Sequence, residues 1–149
     1  MFAAVRDGPY PRPLHPAHAA LVAGAVPLFL GALLCDIAYS ASYELQWKNF
    51  ASWLLVGALV FAGCALLWAF IDLARSRRRT VRLAIYAVLL ALAWVLGFIN
   101  ALVHAKDAWA SMPEALILSA LSAVLVVAAM ALGLSTWRTG PAVERERLL

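Results

Sequence analysis

Three polar residues interrupt long apolar runs near one end of those runs: Asp36, Asn100 and His104. A polar or ionisable group at membrane depth is costly, so each one is a candidate for function. Asp36 lies about one turn before the end of the first apolar run, at a rise of roughly 1.5 Å per residue. Asn100 lies at a matching depth in the third run, with His104 just beyond it. Desolvation disfavours a charged aspartate there unless a partner offsets it. A carboxylate, an amide and an imidazole at one level suit binding of a quinone headgroup or relay of a proton. The simpler reading, and the preferred one, is that Asp36 and Asn100 hydrogen-bond to each other and lock the helices together.

A second polar layer falls at the opposite end, where His15 and His18 precede or open the first run, Asp72 closes the second, and Arg82 and Tyr86 open the third. On the simple reading Asp72 pairs with Arg75 or Arg82 and the histidines sit among wet headgroups. The sharper alternative is a haem or quinone pocket built on His18. A b-type haem held by two histidines needs a second one at that depth on another helix. His104 is about one bilayer thickness, some 30 Å, away, so haem is disfavoured. There is no GxSxG, no HExxH, no phosphate-cradling glycine loop, no pair of close carboxylates and no Cys/His metal spacing. The chain is therefore not expected to be an enzyme on its own, and no metal site is expected.

The elements that must carry these residues are membrane spans. Of 149 residues, 65% are hydrophobic and only 13% charged, and mean hydropathy is +0.86. Soluble domains run nearer about 45–50% apolar and 25% charged. The length suits one compact domain. Four apolar runs, about 19–39, 50–73, 81–103 and 115–137, each have roughly the 20 residues needed to cross a bilayer. Short connections at Ser40–Asn49, Ala74–Thr80 and His104–Glu114 make successive helices antiparallel neighbours. The expected fold is all-α, an integral membrane four-helix bundle.

Charge sets its orientation. Arg6 and Arg12, the run Arg75, Arg77, Arg78, Arg79 and Arg82, and Arg138, Arg145 and Arg147 fall on one side, ten of the twelve Lys and Arg residues. Lys48 and Lys106 alone fall on the other. The positive-inside rule puts the arginine side and both termini in the cytoplasm. Tyr39, Tyr43, Trp47, Phe50, Trp53 and Trp109 then mark the outer interface, with Trp68 and Trp137 toward the inner one. The net charge of +4 does not point to nucleic acid, because it lies in loops beside apolar runs. A basic start, an apolar stretch and small residues near Ala38-Tyr39-Ser40 also fit a signal peptide; the segment is expected to be retained as a span. The proline-rich stretch Pro9–Pro16 is expected to lie along the inner surface, and the charged tail Arg138–Leu149 to fray.

Helices in lipid associate through small residues, and these recur four apart at Ala20/Gly24, Ala93/Gly97 and Ala129/Gly133. Ser119 and Ser122 are expected to add hydrogen bonds between helices, and Pro27 to bend the first one. Cys35 and Cys64 differ in depth by roughly 10 Å at the helical rise, too far for a disulfide.

The sequence resembles a bacterial four-helix predicted membrane protein family of unknown function. The resemblance runs from about Leu14 to Trp109 and rests on His18, on Leu33-Leu34-Cys35-Asp36-Ile37, on Phe50-Ala51-Ser52-Trp53, on Phe70-Ile71-Asp72 and on Asn100. Family members often carry a histidine where this chain has Tyr86, and a Pro-Phe-Pro-like stretch at Ala23–Ala25. Both departures bear on any two-histidine cofactor site of the family. Members are often encoded near quinoproteins of the sorbosone-dehydrogenase type. The resemblance thus implies a bacterial inner-membrane subunit that anchors or electrically connects a periplasmic redox partner to the quinone pool. A purely structural subunit is the alternative, and a small channel or transporter a weaker one. Expected partners are membrane lipid and a protein partner or a second copy of the chain.

Overall fold

The computed structural model describes residues 15–75, 81–106 and 108–135. Among these, four long helices carry the fold: α1 (Pro16–Ser42), α2 (Leu45–Arg75), α3 (Val81–His104) and α4 (Glu114–Ser135), with one 3-10 turn at Ala108–Ser111 before α4. No strand occurs among the described residues. The expectations for the arginine cluster at 77–79, the N-terminal prolines up to 14, the C-terminal tail and Trp137 fall outside the described residues.

Local chemistry sets the ends of α1. Pro16 occupies the first helical position, where its missing N–H costs nothing. The His15 ring accepts from the Ala17 N–H at 3.2 Å through Nδ1. At the other end Tyr43 adopts a left-handed conformation with φ of 56°, and its N–H closes onto the Tyr39 carbonyl. The first connection is thereby only Tyr43 and Glu44, far shorter than the expected Ser40–Asn49 loop. Ser40 and Ser42, which fall within that expected connection, are accommodated inside the helix. Ser40 and Ser42 donate to the Ile37 and Ala38 carbonyls at 2.8 and 2.7 Å, an ordinary way to satisfy a hydroxyl on a helix. Trp47, Lys48 and Asn49 therefore stand on the first turns of α2. Helix α1 continues without interruption through Pro27, which lies on its exposed face.

Buried positions recur in alternating steps of three and four on every helix. On α2 they are Lys48, Ala51, Leu55, Ala58, Ala62, Ala65 and Ala69; on α1 they run His18, Val22, Ala25, Phe29, Ala32, Asp36 and Tyr39. Helix α3 repeats the pattern from Tyr86 through Ala93, Gly97 and Asn100 to His104, and α4 from Ala115 through Ser119 and Ser122 to Gly133. A 3.5-residue repeat is the signature of left-handed packing with small crossing angles. The helices close a ring in which α1 meets α2 and α4, and α3 meets α2 and α4. The Trp94 indole adds a tie, donating 3.0 Å to the Leu59 carbonyl of α2.

At most 33% of each helix's apolar window is buried, so most of the apolar surface faces outward. Leu34, Trp53, Val60, Leu67, Val88, Ile117 and Val124 are among the exposed residues. A soluble monomer does not present apolar surface on all sides. All four helices are long and apolar enough to cross a membrane, and lipid is the solvent this surface requires. With four spans, the start of α1 and the end of α4 lie at the same end of the bundle, here termed the His18 end; the other is the Asp36 end.

Two glycines separate close packing from mere proximity. A Cβ on Gly97 would stand 2.8 Å from Phe29 Cε1 and 3.1 Å from Cζ, and Phe29 is fully buried. A Cβ on Gly24 would meet Phe61 at 2.8 Å, but that ring is 40% exposed and free to swing toward lipid. Gly97→Ala should lower stability by about 1–3 kcal/mol, the usual cost of overpacking, whereas Gly24→Ala should stay close to neutral. Unfolding of both variants in detergent, followed by circular dichroism, checks the contrast.

Candidate functional site

At the Asp36 end, three helices each supply part of one buried polar cluster. Asn100 and His104 are four apart on α3 and so share a face. Asp36 of α1 and Ser119 of α4 lie on the buried stripes that meet this face, and all four residues are buried. The connections form a closed circuit. His104 Nε2 lies 2.9 Å from Asp36 Oδ1, and Ser119 donates to Asp36 Oδ2 at 2.5 Å. Asn100 Nδ2 donates to Ser119 Oγ at 2.6 Å, and His104 Nδ1 lies 3.0 Å from the Asn100 carbonyl of its own helix.

The partners dictate where protons sit. A backbone carbonyl only accepts, so His104 Nδ1 carries its hydrogen. The Ser119 hydroxyl has one hydrogen and gives it to Asp36, which leaves its oxygen to accept from Asn100. One proton then remains to be placed in the Nε2···Oδ1 contact, either on the imidazole facing a carboxylate or on the carboxyl facing a neutral ring. In both arrangements every member but one is satisfied. The exception is Asn100 Oδ1, which is buried without a hydrogen-bond partner. His104 is also the member that reaches outward: with Leu45, Gln46, Lys48, Asn49 and Ser52 it lines an open cavity of about 340 Å³.

The structure thus gathers the outer trio expected from sequence, Asp36, Asn100 and His104, with a difference of connection. The expected direct Asp36–Asn100 bond is replaced by a bridge through Ser119, because the serine supplies a donor to the carboxylate and an acceptor to the amide. Ser122, expected to bond another helix, instead donates to the Leu118 carbonyl on its own helix at 2.8 Å. Lys48 was visible only as a basic residue on the sparsely charged side. Its position in phase with the α2 alanines, three before Ala51 and seven before Leu55, is the signal that places it inward.

The second layer divides. His18 and Tyr86 are both buried and meet through Nε2 and the phenol oxygen at 2.6 Å. Trp68 packs edge-on against His18 at 5.8 Å and also contacts His15 at 5.1 Å. His18 Nδ1 has no hydrogen-bond partner. Arg82 is exposed and does not join this group; Asp72 is exposed too, but its charge acts on His18. Neither expected ion pair, Asp72 with Arg75 or with Arg82, forms among the described residues; Arg82 reaches Ser135 at 3.4 Å. Arg82 is exposed, where a long guanidinium gains little from one fixed partner. Tyr86 also faces an apolar crevice of about 240 Å³ between α1 and α4, lined by Ala19, Ala23, Met130 and Gly133 among others.

No cluster of three or more metal-ligating side chains occurs among the described residues. Comparison with known proteins returns the family described as "Predicted membrane protein (DUF2231)", whose model matches residues 14–144, and the chain belongs to that family. No curated protein and no solved structure matches it.

The two serines give a test of the circuit. Ser119→Ala strips a donor from Asp36 and an acceptor from Asn100, and should cost about 1–3 kcal/mol, the penalty for a buried polar group left unsatisfied. Ser122→Ala removes only a bond within its own helix and should change stability by less than about 0.5 kcal/mol. Parallel unfolding measurements in one detergent compare them.

Proposed function

We propose that this member of the family is a non-catalytic, multi-pass subunit of the bacterial inner membrane, with both termini cytoplasmic. Its role is to anchor a periplasmic redox partner and connect it to the quinone pool. The excess of arginine at the His18 end supports the orientation and turns the Asp36 end toward the periplasm. The observation that carries the reading is the Asp36–His104 contact of 2.9 Å, buried on one side and bordering an open cavity on the other.

Quinone reduction consumes protons as well as electrons, so a site serving it needs a group that holds a proton at the right level of the membrane. The Asp36–His104 pair holds one, with Ser119 and Asn100 fixing the carboxylate and His104 providing the route to the cavity. A quinone, when bound, supplies the two-electron chemistry; the chain's residues supply position and a proton. The resemblance to proteins encoded beside quinoprotein dehydrogenases adds the electron source. Haem fits less well: His18 Nε2 is engaged by Tyr86, and among the described residues no other helix brings a histidine to it.

One observation favours a purely structural role instead. The circuit is closed within the bundle, which is what a lock between α1, α3 and α4 requires. The two readings separate on Asp36→Asn, which keeps the shape and most of the hydrogen bonding while removing the exchangeable acid. In a gently purified complex that retains its partner, the variant should cut reduction of a short-chain quinone analogue by tenfold or more while the complex stays assembled. An unchanged rate, or a wild-type preparation that carries no partner, overturns the redox reading in favour of the structural one.

A further inference from the structure

The cavity bordering His104 holds a lysine that the proton circuit does not use and that no carboxylate pairs with among the described residues. Lys48 is 8% exposed. Its one hydrogen bond runs from Nζ to the Lys106 carbonyl at 2.7 Å. An ammonium has three donors and a full positive charge; a carbonyl occupies one donor and offers a partial charge. Among the described residues, which do not include Asp107 beside Lys106, the carboxylates nearby are committed or turned away. Asp36 is held by His104 and Ser119, Glu114 pairs with Lys106 Nζ at 3.0 Å, and Glu44 is exposed. No carboxylate pairs with Lys48 among the described residues. Burying an ion without a counter-charge is expensive, and a cation at the sparsely charged end, which it shares only with Lys106, does not serve topology.

The rest of the cavity wall matches the missing charge. Gln46 and Asn49 bring amide donors, both on the first two turns of α2, while the Ser52 hydroxyl is given to the Lys48 carbonyl at 2.9 Å. The first turn of this 31-residue helix also has backbone N–H groups without intrahelical acceptors and the positive end of the helix dipole. Capping of the α3 end by Lys48 explains one of its donors and the direction of its stem. It leaves the net charge and the polar wall unexplained.

We propose that this cavity is an oxyanion site, with Lys48 as its charged ligand and Gln46 and Asn49 as supporting donors. The ligand is a phosphate-type oxyanion, carried on an anionic phospholipid headgroup or free in solution. The inference goes beyond the redox reading and does not rest on it. It requires Lys48 and the cavity, not a partner or the acidity of Asp36.

The test is titration of the purified chain, in neutral detergent, with phosphatidylglycerol, with phosphatidylcholine and with inorganic phosphate, read by native mass spectrometry and by thermal stability. Phosphatidylglycerol should bind at least tenfold more tightly than phosphatidylcholine, and Lys48→Gln should erase that difference. The glutamine keeps a donor for the Lys106 carbonyl, so the variant's own unfolding curve shows whether the bundle is intact. Gln46→Leu and Asn49→Leu, both at exposed positions, should weaken binding two- to fivefold without touching the core. Protection by phosphate alone, lost in Lys48→Gln, assigns the site to a free anion; protection by the lipid alone assigns it to the headgroup. Equal binding of both lipids by the wild type with no effect of phosphate, or full binding by Lys48→Gln, overturns the proposal. Asp36→Asn should bind phosphatidylglycerol as the wild type does, which keeps failure here distinct from failure of the redox reading.

Discussion

A carboxylate buried within a membrane-spanning bundle must be answered by donors from neighbouring helices, and the arrangement at the Asp36 end follows from that requirement. Asp36 receives one donor from α4 and faces the imidazole of α3. Those two helices are in turn joined through Asn100 and Ser119. Rotating any one helix by a single position would move its contribution out to lipid, where an unsatisfied polar group costs several kcal/mol. Apolar packing alone is more forgiving, since leucine and valine are as content against lipid as against each other. The circuit therefore specifies register, while the small residues permit the close approach that register needs.

Helix α2 shows the complementary strategy. Its buried stripe is nearly all alanine, from Ala51 to Ala69 with Leu55 the exception. Small side chains let the backbones of α1 and α3 draw near, and dispersion over many close contacts replaces the hydrophobic effect as the source of cohesion. Bulk enters the core from the other helices, chiefly as Phe29, which fills the space that Gly97 leaves open. A bundle built this way tolerates little change in volume at its centre and much at its rim.

The spans and their antiparallel order were legible because length and hydropathy decide them, and the family resemblance agreed. Asp36, Asn100 and His104 were legible as a group from depth alone. Ser119 was expected to bond another helix and does so, but the same expectation was attached to Ser122, which satisfies itself on its own backbone; sequence does not distinguish the two. Lys48 was hidden by the loop boundary. The expected connection ran from Ser40 to Asn49, whereas α1 runs to Ser42 and α2 starts at Leu45, which puts Lys48 in phase with the α2 alanines. At the other end, Asp72 and Arg82 were grouped with His18 and Tyr86 on depth, but depth does not fix the side of the helix on which a residue falls. The buried stripes of α1 and α3 include His18 and Tyr86 and leave out Arg82, whereas Asp72, three past Ala69, continues the α2 stripe and is exposed all the same.

The two ends of the bundle differ in how their polar groups relate to the outside. His18 and Tyr86 are buried together behind an apolar crevice, so what approaches them comes through the hydrocarbon. Asp36 and His104 abut a cavity with a polar wall, so what approaches them comes from the headgroup region or from water. Between the two lie the alanines of α2, Phe29 and Val126, which offer no polar side chain to carry a proton from one end to the other. Each end must then act with the phase it faces. For the Asp36 end that phase contains water and ions, so the buried Asp36–His104 pair and Lys48 can be answered from outside the bundle there and would be only costly at the middle of the bilayer.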